Sequence, residues 1–446
     1  MTMMKPVNRA SPPVSRRQLL TGALGAAGAA ALPGLAGCGS PASAGTRISY
    51  WNLLSGGDGI TMTQLVDTVD ELLKDVSIDQ TVLEWGAPYY TKLAMASAGG
   101  RAPDTAIMHA SRVTGYAPGG LLDPWDVDEL AARGLTEDDF LPQVWDQGMV
   151  DGSLYSIALD THPFIMLYNV DVAEKAGVLR GDGTLQPVDS PQEFRDMALQ
   201  MQEVTGVHGL SWGYLGDGAQ LWRLFYTMYL QQGAEMVLQT GKPAEVDLDA
   251  AMESLEFMIS IVDGTIAARN GDIDTGIAEF ANGDSGMLLT GVWEIPTMKD
   301  AGLNFDADII PILYGTPAVY ADSHTFVLPH QDNPDPQHRE GVYDFVSELL
   351  KHSLPWAGAG HIPAFLPVVN SPEYDDLIPQ AHYADAAELV HYDPPSWFTG
   401  SGSNFQDMFL DEIQGVLLGR ISPEAGFEAF LDRVNTLLAK PNPLTV

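Results

Sequence analysis

The sequence predicts an α/β fold in two domains, and three observations lead to this prediction. Between residues 46 and 108, short apolar strands alternate with amphipathic helices, which is the pattern of a parallel sheet with crossover helices. The chain has 446 residues, more than one hydrophobic core usually accommodates, so two domains are expected. Its hydrophobic fraction of 45% is typical of a globular protein.

The alternation begins directly after residue 45. The elements are predicted in this order: strand 47–51, glycine-rich loop 52–59, helix 61–74, strand 77–85, helix 89–98, strand 103–108 and loop 109–112. The helices are predicted from apolar residues at helical spacing. Because ligands of parallel sheets bind beyond the carboxyl ends of the strands, the loops after Trp51, Trp85 and Met108 are expected to line a site.

The rest of the chain continues this mixture. Ser190-Pro191-Gln192-Glu193 predicts a helix start, with serine as N-cap and proline in the first turn. Further elements are predicted as follows: a turn at 151–152, an extended run 156–169 interrupted by Pro163, a buried helix 222–231, strands 286–290, 308–312 and 325–329, helix 342–351 and a helical tail 405–438.

The N-terminus predicts export and anchoring. Ser15-Arg16-Arg17-Gln18-Leu19-Leu20 has the form of a twin-arginine export signal, and an apolar stretch rich in Gly and Ala follows it. Leu35-Ala36-Gly37-Cys38 resembles the lipobox of bacterial lipoproteins. We therefore predict a signal peptide over 1–37, lipidation at Cys38 and a flexible tether over 38–45. A cleaved secretory signal with an incidental cysteine is the alternative.

Charge and cysteine content limit the partners. The formal net charge of −37 at pH 7 predicts repulsion from nucleic acid and from anionic lipid surfaces, so membrane contact is expected only through the anchor. Cys38 is the only cysteine, and the body is therefore expected to fold without a disulfide.

Catalytic and metal signatures are missing from the sequence. It contains no H-E-x-x-H, no G-x-S-x-G and no phosphate-binding G-x-x-x-x-G-K-[ST] loop. Asp272-Ile273-Asp274 lacks the Gly and the terminal Glu of a calcium loop. The histidines are scattered without ligand-pair spacing. The sequence thus predicts no catalytic residue, no metal site and no cofactor.

Aromatic residues in loops indicate a carbohydrate cleft. Several of the nine tryptophans stand beside Gly or Pro at predicted strand ends. A flat ring stacks on the apolar face of a sugar, while carboxylates, amides, Arg and His bind its hydroxyls. Polar residues of this kind lie among these tryptophans: Asp58, His109, Arg112, Asp160 and His162. Trp222, inside an apolar helix, is expected to be core.

Four segments, in order along the chain, resemble the extracellular solute-binding lipoproteins of carbohydrate ABC importers, the maltose- and multiple-sugar-binding group. They are Tyr50-Trp51-Asn52 with Gly57-Asp58-Gly59, Tyr89 to Leu93 with Gly99-Gly100 and Pro103-Asp104, Leu159-Asp160 with Leu167-Tyr168-Asn169, and Phe280 to Trp293. The sequence departs from the family pattern at Thr91, Ala158 and Gly286, which concern packing.

The resemblance implies a two-lobe periplasmic-binding-protein-like fold, in which each lobe is a mostly parallel sheet flanked by helices. Lobe 1 would comprise 46–160 plus 312–351, and lobe 2 would comprise 161–311 plus 352–446. The implied function is capture of a di- or oligosaccharide between the lobes and its delivery to a membrane permease. The protein would be a monomer without enzymatic activity.

The resemblance and the loop positions together give a set of ligand-binding residues. Asn52, Asp58, His109 and Arg112 are expected from the first lobe, and Asp160 and His162 from the crossover. Trp212, Tyr214 and Trp293 are expected as stacking platforms of the second lobe. Further candidates are Ser323, His324, Trp356, His361 and Trp397.

Two alternatives stay open at this point. A secreted lyase or glycosidase would need two carboxylates about 5–10 Å apart, for which Asp58 and Asp160 are candidates. The same fold could also bind a peptide, a polyamine or a glycerol phosphodiester, although Arg112 alone gives a phosphate little support.

Overall fold

A computed structural model describes residues 45–444 of the chain. The predicted signal peptide, Cys38 and all but the last residue of the tether lie outside the described residues. Within 45–444, none of the helices combines the length and the apolar character that crossing a membrane requires.

Strands and helices alternate along the described residues. The strands are β1 Thr46–Asn52, β2 Val76–Val82, β3 Thr105–His109, β4 Leu122–Asp123, β5 Met149–Val150, β6 Ser153–Leu154, β7 Ser156–Ala158, β8 Asp160–Asn169, β9 Leu210–Ser211, β10 Met287–Gly291, β11 Phe305–Ile309, β12 Val319–Asp322, β13 His324–Pro329, β14 Ile362–Pro363 and β15 Val390–His391. The α-helices are α1 Gly56–Leu72, α2 Ala87–Ala98, α3 Val127–Ala131, α4 Pro142–Asp146, α5 Val170–Ala176, α6 Pro191–Thr205, α7 Gly218–Gln231, α8 Leu248–Ile261, α9 Ile273–Ala281, α10 Ile295–Asp300, α11 Pro336–Lys351, α12 Leu354–Gly358, α13 Leu366–Val369, α14 Pro372–Asp375, α15 Asn404–Leu417 and α16 Pro423–Leu438.

Two sheets form the centres of two lobes. The first has the strand order β2-β1-β3-β13-β4, with β7 also paired to β13, and the second has the order β15-β12-β8-β10-β9, with β11 and β14 also paired to β8. The predicted parallel unit is confirmed, since β1 pairs in parallel with both β2 and β3.

Each sheet is mostly parallel in strand direction, as predicted, and one strand in each sheet runs against all the others. Strand β13 pairs antiparallel with β3, β4 and β7, and β8 pairs antiparallel with β10, β11, β12 and β14. The reason is that β8 and β13 directly continue strands of the opposite lobe, so each enters its sheet against the direction set by the βαβ connections.

The chain passes between the lobes at two single-residue junctions, Leu159 and Ser323. Leu159 separates β7 in the first sheet from β8 in the second, and Ser323 separates β12 in the second sheet from β13 in the first. Beyond α11 the chain crosses again, and Ile362 and Pro363 pair with Thr161 and Asp160. The lobe boundary predicted at 311/312 lies before β12, which still belongs to the second sheet, so the pairings favour a boundary at Ser323.

Most predicted elements are confirmed, and the differences have local causes. Helix α6 begins as predicted, with Ser190 Oγ accepting the backbone N–H of Glu193. The loop predicted over 52–59 is shorter than expected because α1 already begins at Gly56. The helical tail is two helices, since Gly419 takes a φ of +68° between α15 and α16.

Each lobe has its own core. The core of the first lobe packs α1, α2 and α11 against its sheet, and it also contains Trp356 and Phe365 from the segment after α11. The core of the second lobe is built around α7, every residue of which is buried, together with α8, α15 and α16. Trp222 lies in this core, stacked on Tyr226, as the sequence predicts.

Candidate functional site

A cavity of about 360 Å³ lies between the lobes. Its walls come from the start of α1, the end of β3, the first residues of β8 and β13, the start of α7 and the segment after β10. The polar and aromatic residues that line it are Ser55, Asp58, Trp85, His109, His162, Asp217, Gln220, Arg223, Trp293, Glu294, Thr297 and His324. This volume lies within the range of small-molecule sites.

Asp160, at the Leu159 junction, joins the groups beneath the cavity. Its Oδ1 accepts the Nδ1–H of His162 at 2.9 Å and the backbone N–H of His324 at 2.9 Å. Its Oδ2 accepts the Nδ1–H of His324 at 2.8 Å and the indole N–H of Trp356 at 2.6 Å. Burial alone would raise its pKa, but the neighbouring imidazoles hold the pKa of Asp160 well below its usual range.

His361 connects this buried carboxylate to the first helix. Its Nε2 lies 3.1 Å from Asp58 Oδ1, and its Nδ1 lies 3.2 Å from Asp160 Oδ2. Burial opposes the charged form, yet the two carboxylates raise the pKa of His361 to about 10. A charged imidazolium at this position ties the start of α1 to the Leu159 junction.

Two other cavity histidines are held neutral. Burial lowers the pKa of His109 well below its usual value and, with the nearby His324, lowers the pKa of His162 to about 3. The Nδ1 of His109 lies 2.6 Å from the hydroxyl of Tyr90, which fixes the ring. The cavity floor therefore presents uncharged imidazole at these two positions.

Helix α7 supplies the wall of the second lobe. Asp217 caps the helix by accepting the backbone N–H groups of Ala219 and Gln220. Gln220 is 1% exposed, and neither its amide nitrogen nor its amide oxygen has a hydrogen-bond partner in the described protein. One turn further, the guanidinium carbon of Arg223 lies 4.5 Å from the centroid of the Trp293 ring.

Trp293 can occupy the cavity wall because Gly291 precedes it. A Cβ at position 291 would lie 1.9 Å from the Trp293 ring, so any side chain there would displace the indole. His162 meets the same ring edge-on, with centroids 6.2 Å apart. Arg223, Gly291 and His162 together fix the ring's orientation.

The structure brings many of the sequence-predicted residues to one place. Asp58, His109, His162, Trp293 and His324 line the cavity. Asn52, Asp160, Trp356 and His361 are fully buried. The last three form the layer beneath the cavity, and Asn52 Oδ1 accepts the backbone N–H of Leu54, which shapes the loop before α1.

Five predicted residues do not reach the cavity. Trp212 and Tyr214 pack on each other in the core of the second lobe, 2% and 0% exposed, so neither offers a free ring face. Arg112 lies over the Tyr90 ring, Ser323 hydrogen-bonds to the hydroxyl of Tyr392, and Trp397 packs against the second core. The stacking role predicted for Trp212 and Tyr214 is inconsistent with this burial.

Asp58 and Asp160, the pair proposed for a glycosidase, are unsuited to that chemistry. Asp160 is fully buried, and both its oxygens already accept hydrogen bonds from side chains beneath the cavity. A general acid or nucleophile must reach the scissile bond, and this carboxylate does not.

Seven polar or aromatic cavity residues were not among those predicted from the sequence: Ser55, Trp85, Asp217, Gln220, Arg223, Glu294 and Thr297. For two of them, Trp85 and Arg223, a feature of the sequence could have indicated a role in the cavity. Trp85 ends a predicted strand beside a glycine and is 43% exposed in the structure. Arg223 is a lone charge in an apolar helix, and a buried charge of this kind needs a partner or a ligand.

The sequence also predicted no metal site, because the histidines are far apart along the chain. The fold nevertheless brings Asp160, His162, His324 and His361 together, with one ligand-type atom from each lying within 4.8 Å of the others. Spacing along the sequence could not show this convergence, since the residues come from β8, β13 and the turn before β14.

Gln220→Met is expected to weaken ligand binding about two- to twelvefold, because it removes one hydrogen-bonding group worth about 0.5–1.5 kcal/mol. Without ligand, the free energy of unfolding should stay the same or rise, since the amide has no partner to lose. Titration calorimetry and urea denaturation measure the two effects.

Gln231→Met, on the same helix, is the matched control. Its amide donates to the Pro311 carbonyl and accepts the backbone N–H of Leu313, so its loss should destabilise the fold. If Gln220→Met destabilises the ligand-free protein as much as Gln231→Met does, Gln220 supports the fold and not the ligand.

The family model of bacterial extracellular solute-binding proteins matches residues 86–377. The GacH receptor of Streptomyces glaucescens, solved without ligand and with acarbose, superposes with a TM-score of 0.73 at 20% identity, covering 88% of this chain and 98% of that chain.

Two further solved structures share the fold. Maltose-bound MalE3 of T. maritima has a TM-score of 0.73 at 15% identity, over 88% of this chain and 100% of that one. The cyclic α-maltosyl-1,6-maltose binding protein of Arthrobacter globiformis has a TM-score of 0.69 at 19% identity, over 89% and 99%. The two-lobe periplasmic-binding-protein-like fold is therefore confirmed.

Proposed function

Because this chain belongs to the bacterial extracellular solute-binding protein family, we propose that it captures a di- or oligosaccharide between its lobes and delivers it to the permease of an ABC importer. Family membership places the protein outside the cell and among receptors, not enzymes. The sugar and the importer are the parts that we propose.

The observation that carries the sugar assignment is the combination of aromatic rings and unsatisfied polar atoms in one cavity. Trp85 and Trp293 offer apolar faces, and the amide of Gln220 has no protein partner. A sugar matches both features, because its C–H face stacks on rings and its hydroxyls donate and accept hydrogen bonds. The similar structures named above include proteins solved with acarbose and maltose.

The wall charges favour an uncharged or cationic ligand over a phosphate. Carboxylates of Asp58, Asp217 and Glu294 line the cavity, whereas Arg223 is the cation among the lining residues and lies over one face of the Trp293 ring. A phosphodiester would meet more negative than positive charge.

We also propose that the protein is a monomer held at the membrane by acyl chains on Cys38 after twin-arginine export. Two or three acyl chains anchor a protein durably, at roughly 0.8 kcal/mol per buried methylene. The tether would let the lobes reach the permease.

A thermal-shift screen against mono-, di- and oligosaccharides tests the sugar assignment. A ligand that binds the native state raises the melting temperature, by an amount that grows with its concentration above Kd. We expect at least one di- or oligosaccharide to raise it, and no product to form on long incubation. Shifts only with peptides, polyamines or glycerol phosphodiesters would overturn the assignment, and turnover of an oligosaccharide would favour an enzyme.

A further inference from the structure

One carboxylate and three imidazoles converge at the floor of the cavity. One ligand-type atom from each of Asp160, His162, His324 and His361 lies within 4.8 Å of the other three, and each residue is more than nine-tenths buried. His361 is the imidazolium that joins Asp58 to Asp160, so it is not counted among the ligands. We refer to these four residues as the Asp160 cluster. His109 borders it, with its ring centroid 5.3 Å from that of His162 and 5.0 Å from that of His324.

The hydrogen bonds of the cluster leave a nitrogen of His162 available. An ionised carboxylate only accepts hydrogen bonds, so Asp160 receives the Nδ1–H of His162 and that of His324. Nε2 of His162 is buried and has no partner in the described protein, although the residue lines the cavity. In a neutral ring whose Nδ1 carries the proton, Nε2 presents a lone pair.

This arrangement is the one that metal sites use to orient imidazole. Metal-binding histidines almost always donate their second ring N–H to a carboxylate, a carbonyl or water, which fixes the tautomer and the ring. Here one carboxylate orients two rings whose centroids are 4.3 Å apart.

We propose that the Asp160 cluster binds a divalent transition-metal ion of the Zn²⁺ class at the floor of the ligand cavity, with His162 and His324 as its nitrogen ligands. Imidazole nitrogen is a ligand that suits Zn²⁺, Ni²⁺ and Co²⁺, whereas Mg²⁺ and Ca²⁺ require oxygen ligands. An ion at this point would face the cavity, where a ligand oxygen could reach it.

Titration of the chelator-stripped, unmodified protein tests the site directly. Zn²⁺ followed by calorimetry should bind with a stoichiometry of about one, and Mg²⁺ and Ca²⁺ should not bind at the same concentration. Co²⁺ should develop visible absorption bands of nitrogen coordination, a readout that needs no variant. Absence of Zn²⁺ binding by the folded protein would overturn the proposal.

Variants locate the ion. His162→Gln and His324→Gln should each weaken Zn²⁺ binding at least tenfold. His330→Gln is the matched control, because His330 is 40% exposed and also has its Nδ1 2.7 Å from an aspartate, Asp123. If His330→Gln weakens binding and the two cavity variants leave it unchanged, the ion binds at the surface and the proposal is wrong. Sugar binding plays no part in either measurement, so a failure here is separate from a failure of the sugar assignment.

Discussion

Replacing Asp160 with Asn is expected to lower the free energy of unfolding by about 3–5 kcal/mol, because it breaks a buried charge network by removing one partner. The carboxylate accepts from two imidazoles, a backbone amide and the Trp356 indole. An amide offers one acceptor atom in place of two and adds donors that face other donors. Urea denaturation, followed by tryptophan fluorescence, measures the change.

Asp123→Asn is the matched control for this substitution. Asp123 also accepts from a histidine, His330, and from Arg339, but it is about a quarter exposed. Exposed pairs contribute about 0–1 kcal/mol, so the control should change stability by no more than that. If the two substitutions lower the free energy of unfolding equally, the buried network around Asp160 does not stabilise the fold more than the surface pairs of Asp123 do.

Trp293→Ala is expected to weaken binding of the cognate sugar by about 2 kcal/mol, roughly thirtyfold in Kd, because the stacking face and its buried area are lost. The ring lies on the cavity wall and is only partly buried, so the fold should persist. A thermal-shift titration with the sugar identified in the screen measures the loss, and circular dichroism confirms the fold.

Trp212→Phe tests whether Trp212 belongs to the core, as its burial indicates, or stacks on the ligand, as the sequence predicts. Trp212 was expected to stack on the ligand, but it is 2% exposed in the core of the second lobe. The substitution should lower stability and leave the Kd for the sugar unchanged. If Trp212→Phe abolishes binding in a folded protein while Trp293→Ala does not, the assignment of the stacking wall is wrong.

Local patterns predicted most of the elements, because helices and strands are specified by nearby residues. The cap at Ser190 and the apolar run from Trp222 to Gln231 needed no tertiary information. The direction of strand pairing, in contrast, could not be predicted from nearby residues. Whether β8 runs with or against its neighbours depends on the lobe that the chain has just left, and no local pattern of residues 160–169 records that.

Site residues at the ends of strands could be predicted from the sequence. Whether such a residue is open to a ligand or covered by its neighbours could not be predicted. His109 ends β3 and reached the cavity as expected. Trp212 also follows a strand, but neighbouring rings cover it. Gln220 and Arg223 were missed because a helix that is buried along its whole length gives no periodic signal for the few residues that face a ligand.

The junctions at Leu159 and Ser323 lie side by side with the return of the chain at Pro363, all around Asp160. Connections this close together would confine any rotation of the lobes to one shared axis, so a single angle would describe how open the cleft is. Any ligand that binds a more closed arrangement better would then shift the same equilibrium, whatever its chemistry. Substitutions at the junctions should therefore multiply the affinities for all ligands by one common factor, whereas substitutions in the cavity wall should change the order in which ligands are preferred.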